Sequence, residues 1–273
     1  MEVATGLVVL PRASWGADLP SPAGLPTEAP GDVRVLLVHH SASANGYDEA
    51  GVVDQIRQFH ALHTGPDKGW PDVAYNFFVD RFGRVWEGRA GSLDDPVIGD
   101  ATGGNQGHSQ LVCLIGTFTD DEPSPEAVDA LTRILAWIAR RDGVDVTPGA
   151  TTTFTSRGSN RWPAGSTVET TTIAGHPDMS QTACPGDAAY ARVRGDLPAL
   201  VAQRVVEQTP TTTAPTTTAP ATTLPAETAT AAPSPPLDED GGQDVAPLAL
   251  TGAAAVAAAA IAVPIALRRR SAS

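Results

Sequence analysis

The chain of 273 residues predicts an α/β architecture, on three observations. Strand and helix signals alternate between about residues 10 and 206, which favours layered sheet and helices over a sandwich or a bundle. The run Val35-Leu36-Leu37-Val38 is continuously apolar, as a strand buried on both faces should be. Leu131, Ile134, Leu135 and Ile138 recur at helical spacing, with Ser124 before Pro125 as a start signal and Gly143 as a stop.

In chain order, residues 33–40 read as the buried strand, and Val52, Ile56, Phe59 and His63 mark a helix after it. Residues 75–79 and 84–87, joined by Asp80-Arg81-Phe82-Gly83, predict a hairpin. Residues 111–115 are another apolar strand, and the helix through Leu131 and Ile138 follows. A Thr-rich hairpin is expected from residues 151–155 and 167–173, flanking a turn at residues 159–165.

The composition changes abruptly after the domain. From residue 209 to 236, 25 of 28 residues are Thr, Pro or Ala. Such a stretch cannot bury enough apolar surface to offset its ordering entropy, so residues 207–244 predict a disordered stalk. Residues 245–267 then run 23 positions without a charge, long enough to span a bilayer as an apolar helix even with Pro247 and Pro264 inside. Acidic Asp238, Glu239 and Asp240 before the run, and Arg268, Arg269 and Arg270 after it, orient residues 268–273 inward and the domain outward. Residues 1–9 are expected as an extension ahead of a domain at 10–206. They lack the basic and apolar regions of a secretory signal, so a start upstream of Met1 is expected. The net charge of −13 argues against a nucleic-acid partner, which requires a basic face.

Few residues can carry chemistry. His39 and His40 stand at the C-terminal end of the buried strand, where open α/β sheets place their sites, and alternation lets only one of them enter a given cleft. His176 and Cys184 bracket a loop far downstream. Two imidazoles and a thiolate would leave tetrahedral Zn²⁺ one open position, the arrangement of a catalytic site. On spacing alone an alternative stands open, with Cys184 a small buried apolar residue and His176 a turn residue. His60 and His63 read as packing or surface residues of the helix, His108 as a loop residue, and Cys113 as inert strand core. No phosphate loop or Ser/His/Asp arrangement competes.

The segments Ser14-Trp15-Gly16-Ala17, Val38-His39-His40-Ser41-Ala42, Gly69-Trp70-Pro71-Asp72-Val73-Ala74-Tyr75-Asn76-Phe77, Trp86-Glu87-Gly88-Arg89, Gly175-His176-Pro177-Asp178 and Cys184-Pro185-Gly186 occur in one order. That order resembles the peptidoglycan recognition proteins and related zinc amidases (type 2 amidases), over about residues 10–195. The resemblance implies a mixed central β-sheet flanked by helices, with a peptidoglycan groove above zinc. It implies His39, His176 and Cys184 as the zinc ligands, and Tyr75 as the active-site tyrosine whose phenol can donate to an oxyanion. Thr182 falls where members carry a residue that polarises the scissile carbonyl. The activity implied is hydrolysis of the amide between N-acetylmuramic acid and L-alanine by a monomer acting on peptidoglycan; the alternative is a module that binds peptidoglycan without cutting it. Two departures bear on substrate preference: Asp100 stands where many members have a groove histidine, and Pro177 where the usual loop has a cation.

Leu248-Ala249-Leu250-Thr251-Gly252, followed by an apolar run and basic tail, resembles a sortase sorting signal, with cleavage expected at Thr251–Gly252. A plain membrane anchor is the alternative. Either places the enzyme on the extracellular face of the cell envelope.

Overall fold

A computed structural model describes residues 1–29 and 31–208. The chain divides into two units, Met1–Ala214 and Pro215–Ser273. The stalk, apolar segment, sorting sequence and basic tail expected after residue 208 lie outside the described residues. Among those described, no helix is long and apolar enough to cross a membrane.

The elements are β1 (Glu2–Ala4), β2 (Leu7–Leu10), α1 (Ala13–Gly16), β3 (Val35–His40), α2 (Gly51–Thr64), β4 (Phe77–Val79), β5 (Val85–Glu87), a 3₁₀ turn at Gly103–His108, and β6 (Ser109–Leu114). They continue with α3 (Pro125–Asp142), β7 (Thr151–Thr155), β8 (Thr167–Thr171), β9 (Ile173–Gly175), α4 (His176–Met179), α5 (Asp187–Arg194) and α6 (Leu197–Glu207). Seven strands form one mixed sheet in the order β1-β2-β5-β4-β6-β3-β9, and β7 and β8 pair separately.

β3 is buried at all six positions: one face lies under α3 and α6, and on the other Val35 and Leu37 are covered by Phe154 and Val168 of the β7–β8 hairpin and by Met179. Leu36 and Val38 join Val112, Leu114, Ile134, Leu135 and Ile138 in a core under α3 and α6. On the opposite face Cys113 and Phe78 pack with Trp15, Val52 and Ile56. The local signals for α3 act as expected. Ser124 Oγ accepts from the Ala127 N–H at 3.1 Å, Pro125 occupies the first turn, and Gly143 ends the helix at φ 71°.

Two expectations change. Residues 1–9 are not an extension outside the fold: β2 pairs in parallel with β5, and Leu7 and Val9 are buried while Val8 points outward, the alternation of a half-buried strand. The Thr-rich hairpin stops at Thr171, and residues 173–175 form β9 against β3. The Leu36 N–H donates to the Thr172 carbonyl at 2.7 Å, so the chain leaves the hairpin and enters the main sheet where its side chains become Ile, Ala and Gly.

Candidate metal centre

Parallel pairing of β3 with β9 builds the site. Val38 stands opposite Gly175, so the next residues, His39 and His176, emerge side by side at the sheet's C-terminal end. Their ring centroids are 4.4 Å apart. Cys184 returns to the same place: its Sγ accepts the His40 N–H at 3.3 Å and lies 3.6 Å from His39 Nδ1. Among the described residues these three alone form a metal-capable group, with ligand atoms all within 4.8 Å of one another.

The donor set fits a tetrahedral ion on two counts. A sulfur at about 2.3 Å and an imidazole nitrogen at about 2.05 Å from one tetrahedral centre are about 3.6 Å apart, the separation found between Cys184 Sγ and His39 Nδ1. His176 Nδ1 is buried without a hydrogen-bond partner, although buried polar atoms are ordinarily satisfied. Burial, with the neighbouring histidines adding to it, holds His39 well below the ordinary imidazole value. Burial brings His176 down to about 4. Both rings are therefore neutral near pH 7, the form that binds metal. Burial pushes the Cys184 thiol up to about 12, against the opposing effect of the His40 N–H. Only a nearby cation makes its thiolate stable at neutral pH.

Local structure holds the ligands in place. Asp178 Oδ2 accepts from the Gly175 N–H at 2.9 Å, and the Tyr190 hydroxyl donates to Asp178 Oδ1 at 2.8 Å. Gly186, at φ 90°, passes so close to the Phe118 backbone that a Cβ there would collide with it, which lets the chain turn back after Cys184.

Tyr75 stacks at a tilt on His39, ring centroids 5.2 Å apart. Burial pushes its phenol well above the ordinary value, with Cys113 and Cys184 adding to the shift, so the hydroxyl stays a proton donor. Its backbone carbonyl accepts from the Arg89 N–H at 2.9 Å, and Gly88 beside it leaves no room for a side chain against that carbonyl. Thr182 is exposed, and its Oγ1 accepts the Cys184 N–H at 3.2 Å.

The other histidines serve packing. His40 Nδ1 accepts from the Phe118 N–H at 3.3 Å. His60 Nε2 lies 3.7 Å from Asp72. His63 Nδ1 accepts from the Ala74 N–H at 3.1 Å. His108 stacks on Phe154 at 4.6 Å. Cys113 is fully buried beside His39 in the register of β3 and β6.

Two ion pairs near Tyr75 were not evident in the sequence. Arg89, 2% exposed, meets Asp100 at 2.5 Å and donates to the Val73 carbonyl at 3.1 Å. Arg12 holds Asp72 through bonds of 3.0 and 3.1 Å. Nothing local in the sequence pairs residues 60 positions apart; the only available signal was the charge of Arg12 and Asp72 inside otherwise apolar surroundings.

The profile of the family described as Amidase_2, N-acetylmuramoyl-L-alanine amidase, matches residues 29–187, more than half of the chain. The chain belongs to this amidase family. It is 31% identical over 128 residues to the Drosophila melanogaster peptidoglycan-recognition protein LE, covering 47% of this chain and 35% of that protein; the family member described here thus spans about a third of the fly protein's length. It is 30% identical over 183 residues to mouse peptidoglycan recognition protein 1, covering 67% of this chain and 84% of that one. The crystal structure of peptidoglycan recognition protein-LE in complex with tracheal cytotoxin, a monomeric diaminopimelic acid-type peptidoglycan, shares the amidase-family fold with a TM-score of 0.52 at 23% identity, covering 68% of this chain and 93% of that one.

Proposed function

We propose that the chain is a zinc-dependent N-acetylmuramoyl-L-alanine amidase acting on peptidoglycan. The observation that carries this reading is the convergence of two neutral imidazoles and one thiol, with ligand atoms all within 4.8 Å of one another and His176 Nδ1 unpartnered. When bound, zinc supplies Lewis acidity towards a carbonyl oxygen and an acidified water. His39 and His176 would hold it through nitrogen and Cys184 through sulfur, the thiolate charge eased by the His40 N–H. The Tyr75 hydroxyl, kept protonated, donates to the oxyanion as the lactyl carbonyl becomes tetrahedral. The Thr182 hydroxyl accepts from the Cys184 N–H through its oxygen, and its proton remains available to the same carbonyl. Water adds across the C–N bond, leaving a carboxyl on the muramic acid and a free amine on L-alanine.

Membership of the amidase family and the tracheal cytotoxin bound by the fly protein support peptidoglycan as the partner. The competing reading is a recognition module that binds without cutting. Retention of Cys184 favours the hydrolase, because two histidines alone leave the site one ligand short of a catalytic zinc set.

The full chain incubated with purified peptidoglycan, followed by mass spectrometry of the products, tests the reading. New L-alanine amino termini support it; peptidoglycan bound and recovered uncut overturns it. The same reading places the enzyme outside the membrane, tethered through residues 245–267. A mature C-terminus at Thr251 would establish sortase transfer to the wall, and an intact Arg268, Arg269, Arg270 tail in the detergent fraction a membrane anchor.

A further inference from the structure

The turn between β7 and β8 has no part in the roles assigned so far, yet three of its side chains reach the segment that joins His176 to Cys184. Ser159 Oγ donates to the Met179 carbonyl at 2.7 Å. Trp162 Nε1 donates to the Asp178 carbonyl at 2.8 Å. Asn160 bonds Gln181 twice, its Oδ1 accepting the N–H at 2.8 Å and its Nδ2 donating to the carbonyl at 3.3 Å. The carbonyls of Asp178, Met179 and Gln181 are thus all held from one side by one turn.

Outside the turn the segment is fixed at its two ends, Asp178 by the Gly175 N–H and the Tyr190 hydroxyl and Cys184 by the His40 N–H and Thr182 Oγ1. α4 is a single helical turn, and the Ser180 N–H bonds back to the His176 carbonyl at 3.0 Å; no strand pairs with residues 180–184. The turn, in contrast, is internally braced. The Ser159 N–H donates to the Trp162 carbonyl at 2.8 Å, and Ser159 Oγ accepts from the Trp162 N–H at 3.0 Å. Asn105, in the 3₁₀ turn, accepts the Arg157 N–H at 2.8 Å. The Trp162 ring packs against the buried cluster of Val35, Leu37, Ala174 and Met179 beneath the site.

We propose that Ser159, Asn160 and Trp162 are positioning residues that set where Cys184 stands relative to His39 and His176, and so set the affinity of the centre for its metal. The proposal rests on the zinc reading above. Its physical basis is that groups orienting metal ligands from outside the coordination sphere commonly change affinity by about 10- to 100-fold when removed. Asn160 is the sharpest probe because it is exposed and its two bonds go to the ligand loop alone.

The test uses the full chain, loaded separately with zinc and with cobalt. Asn160→Ala should weaken zinc binding about 10-fold or more in chelator competition and alter the visible absorption of the cobalt-loaded protein, while the metal-free protein melts as the wild type does. Asn160→Asp, which keeps the acceptor to the Gln181 N–H and loses the donor, should fall between the two. Trp162→Phe, which keeps a packed ring and removes only Nε1–H, should weaken zinc in the same direction. Wild-type zinc affinity and an unchanged cobalt spectrum in both Asn160→Ala and Trp162→Phe would overturn the proposal. A wild-type chain that takes up neither metal would overturn the zinc reading first, and the proposal with it.

Discussion

Around Asp72 every oxygen has its donors, whereas beside Cys184 the buried His176 Nδ1 has no partner. Asp72 Oδ2 accepts from Arg12 and from the Ala90 N–H, and Oδ1 from Arg12 and the Val73 N–H; Arg12 also donates to the Gly16 and Pro20 carbonyls. At the other cluster, among the described residues, the hydrogen-bonding contacts of Cys184 Sγ are His39 Nδ1 and the His40 backbone. Both clusters are buried and polar, and a buried polar group without a partner is costly. The difference separates a cluster that completes the architecture from one completed by something the chain does not itself supply.

Four substitutions can break that contrast or sharpen it. Asp72→Ala strands the Arg12 guanidinium in a buried site, and breaking such a pair costs about 3–5 kcal/mol. Urea unfolding measures it, and a loss under about 1 kcal/mol would show that the saturated cluster is not structural. Tyr75→Phe removes one oxyanion donor and should lower turnover about 100-fold, or about 2.7 kcal/mol, with peptidoglycan binding preserved. Unchanged turnover removes Tyr75 from the chemistry.

His63 offers a test by pH. Burial, reinforced by Lys68, brings it down to about 4, below the value of about 6.5 expected in the unfolded chain. The unfolded state then binds the extra proton between those values, so the stability His63 contributes is complete above about pH 6.5 and declines as pH falls towards 4. His63→Gln should flatten the dependence of the urea midpoint between pH 7 and 4.5, and an identical slope in the variant would refute the assignment. Thr182→Val should have the smallest effect. It removes an exposed acceptor for the Cys184 N–H, worth about 1 kcal/mol or less, so turnover should fall less than in Tyr75→Phe; an equal or greater fall would make Thr182 the stronger oxyanion partner.

How much was legible in the sequence depends on whether its cause was local. β3 and α3 could be read directly, because an unbroken apolar run and a Ser-Pro start with a Gly stop are properties of neighbouring residues. β9 could not, since nothing in Thr170-Thr171-Thr172-Ile173 marks where the chain exchanges one sheet for another. β2 is hard to read because Leu7-Val8-Val9 is a short apolar run whose alternation shows only once β1 and β5 pair on either side of it. The chemical types at positions 39, 176 and 184 were visible, and the family resemblance grouped them; their contact depends on the register of Val38 with Gly175, which no spacing states. Asn160 and Trp162 look like ordinary turn residues whether they bond water or a ligand loop.

The claim that the unsaturated cluster is a metal centre is tested most directly by the zinc content of the purified full chain, measured beside Cys184→Ser. The wild type should carry one zinc per chain and Cys184→Ser almost none, with the two metal-free proteins equally folded by circular dichroism. One zinc per chain retained in Cys184→Ser would contradict the claim.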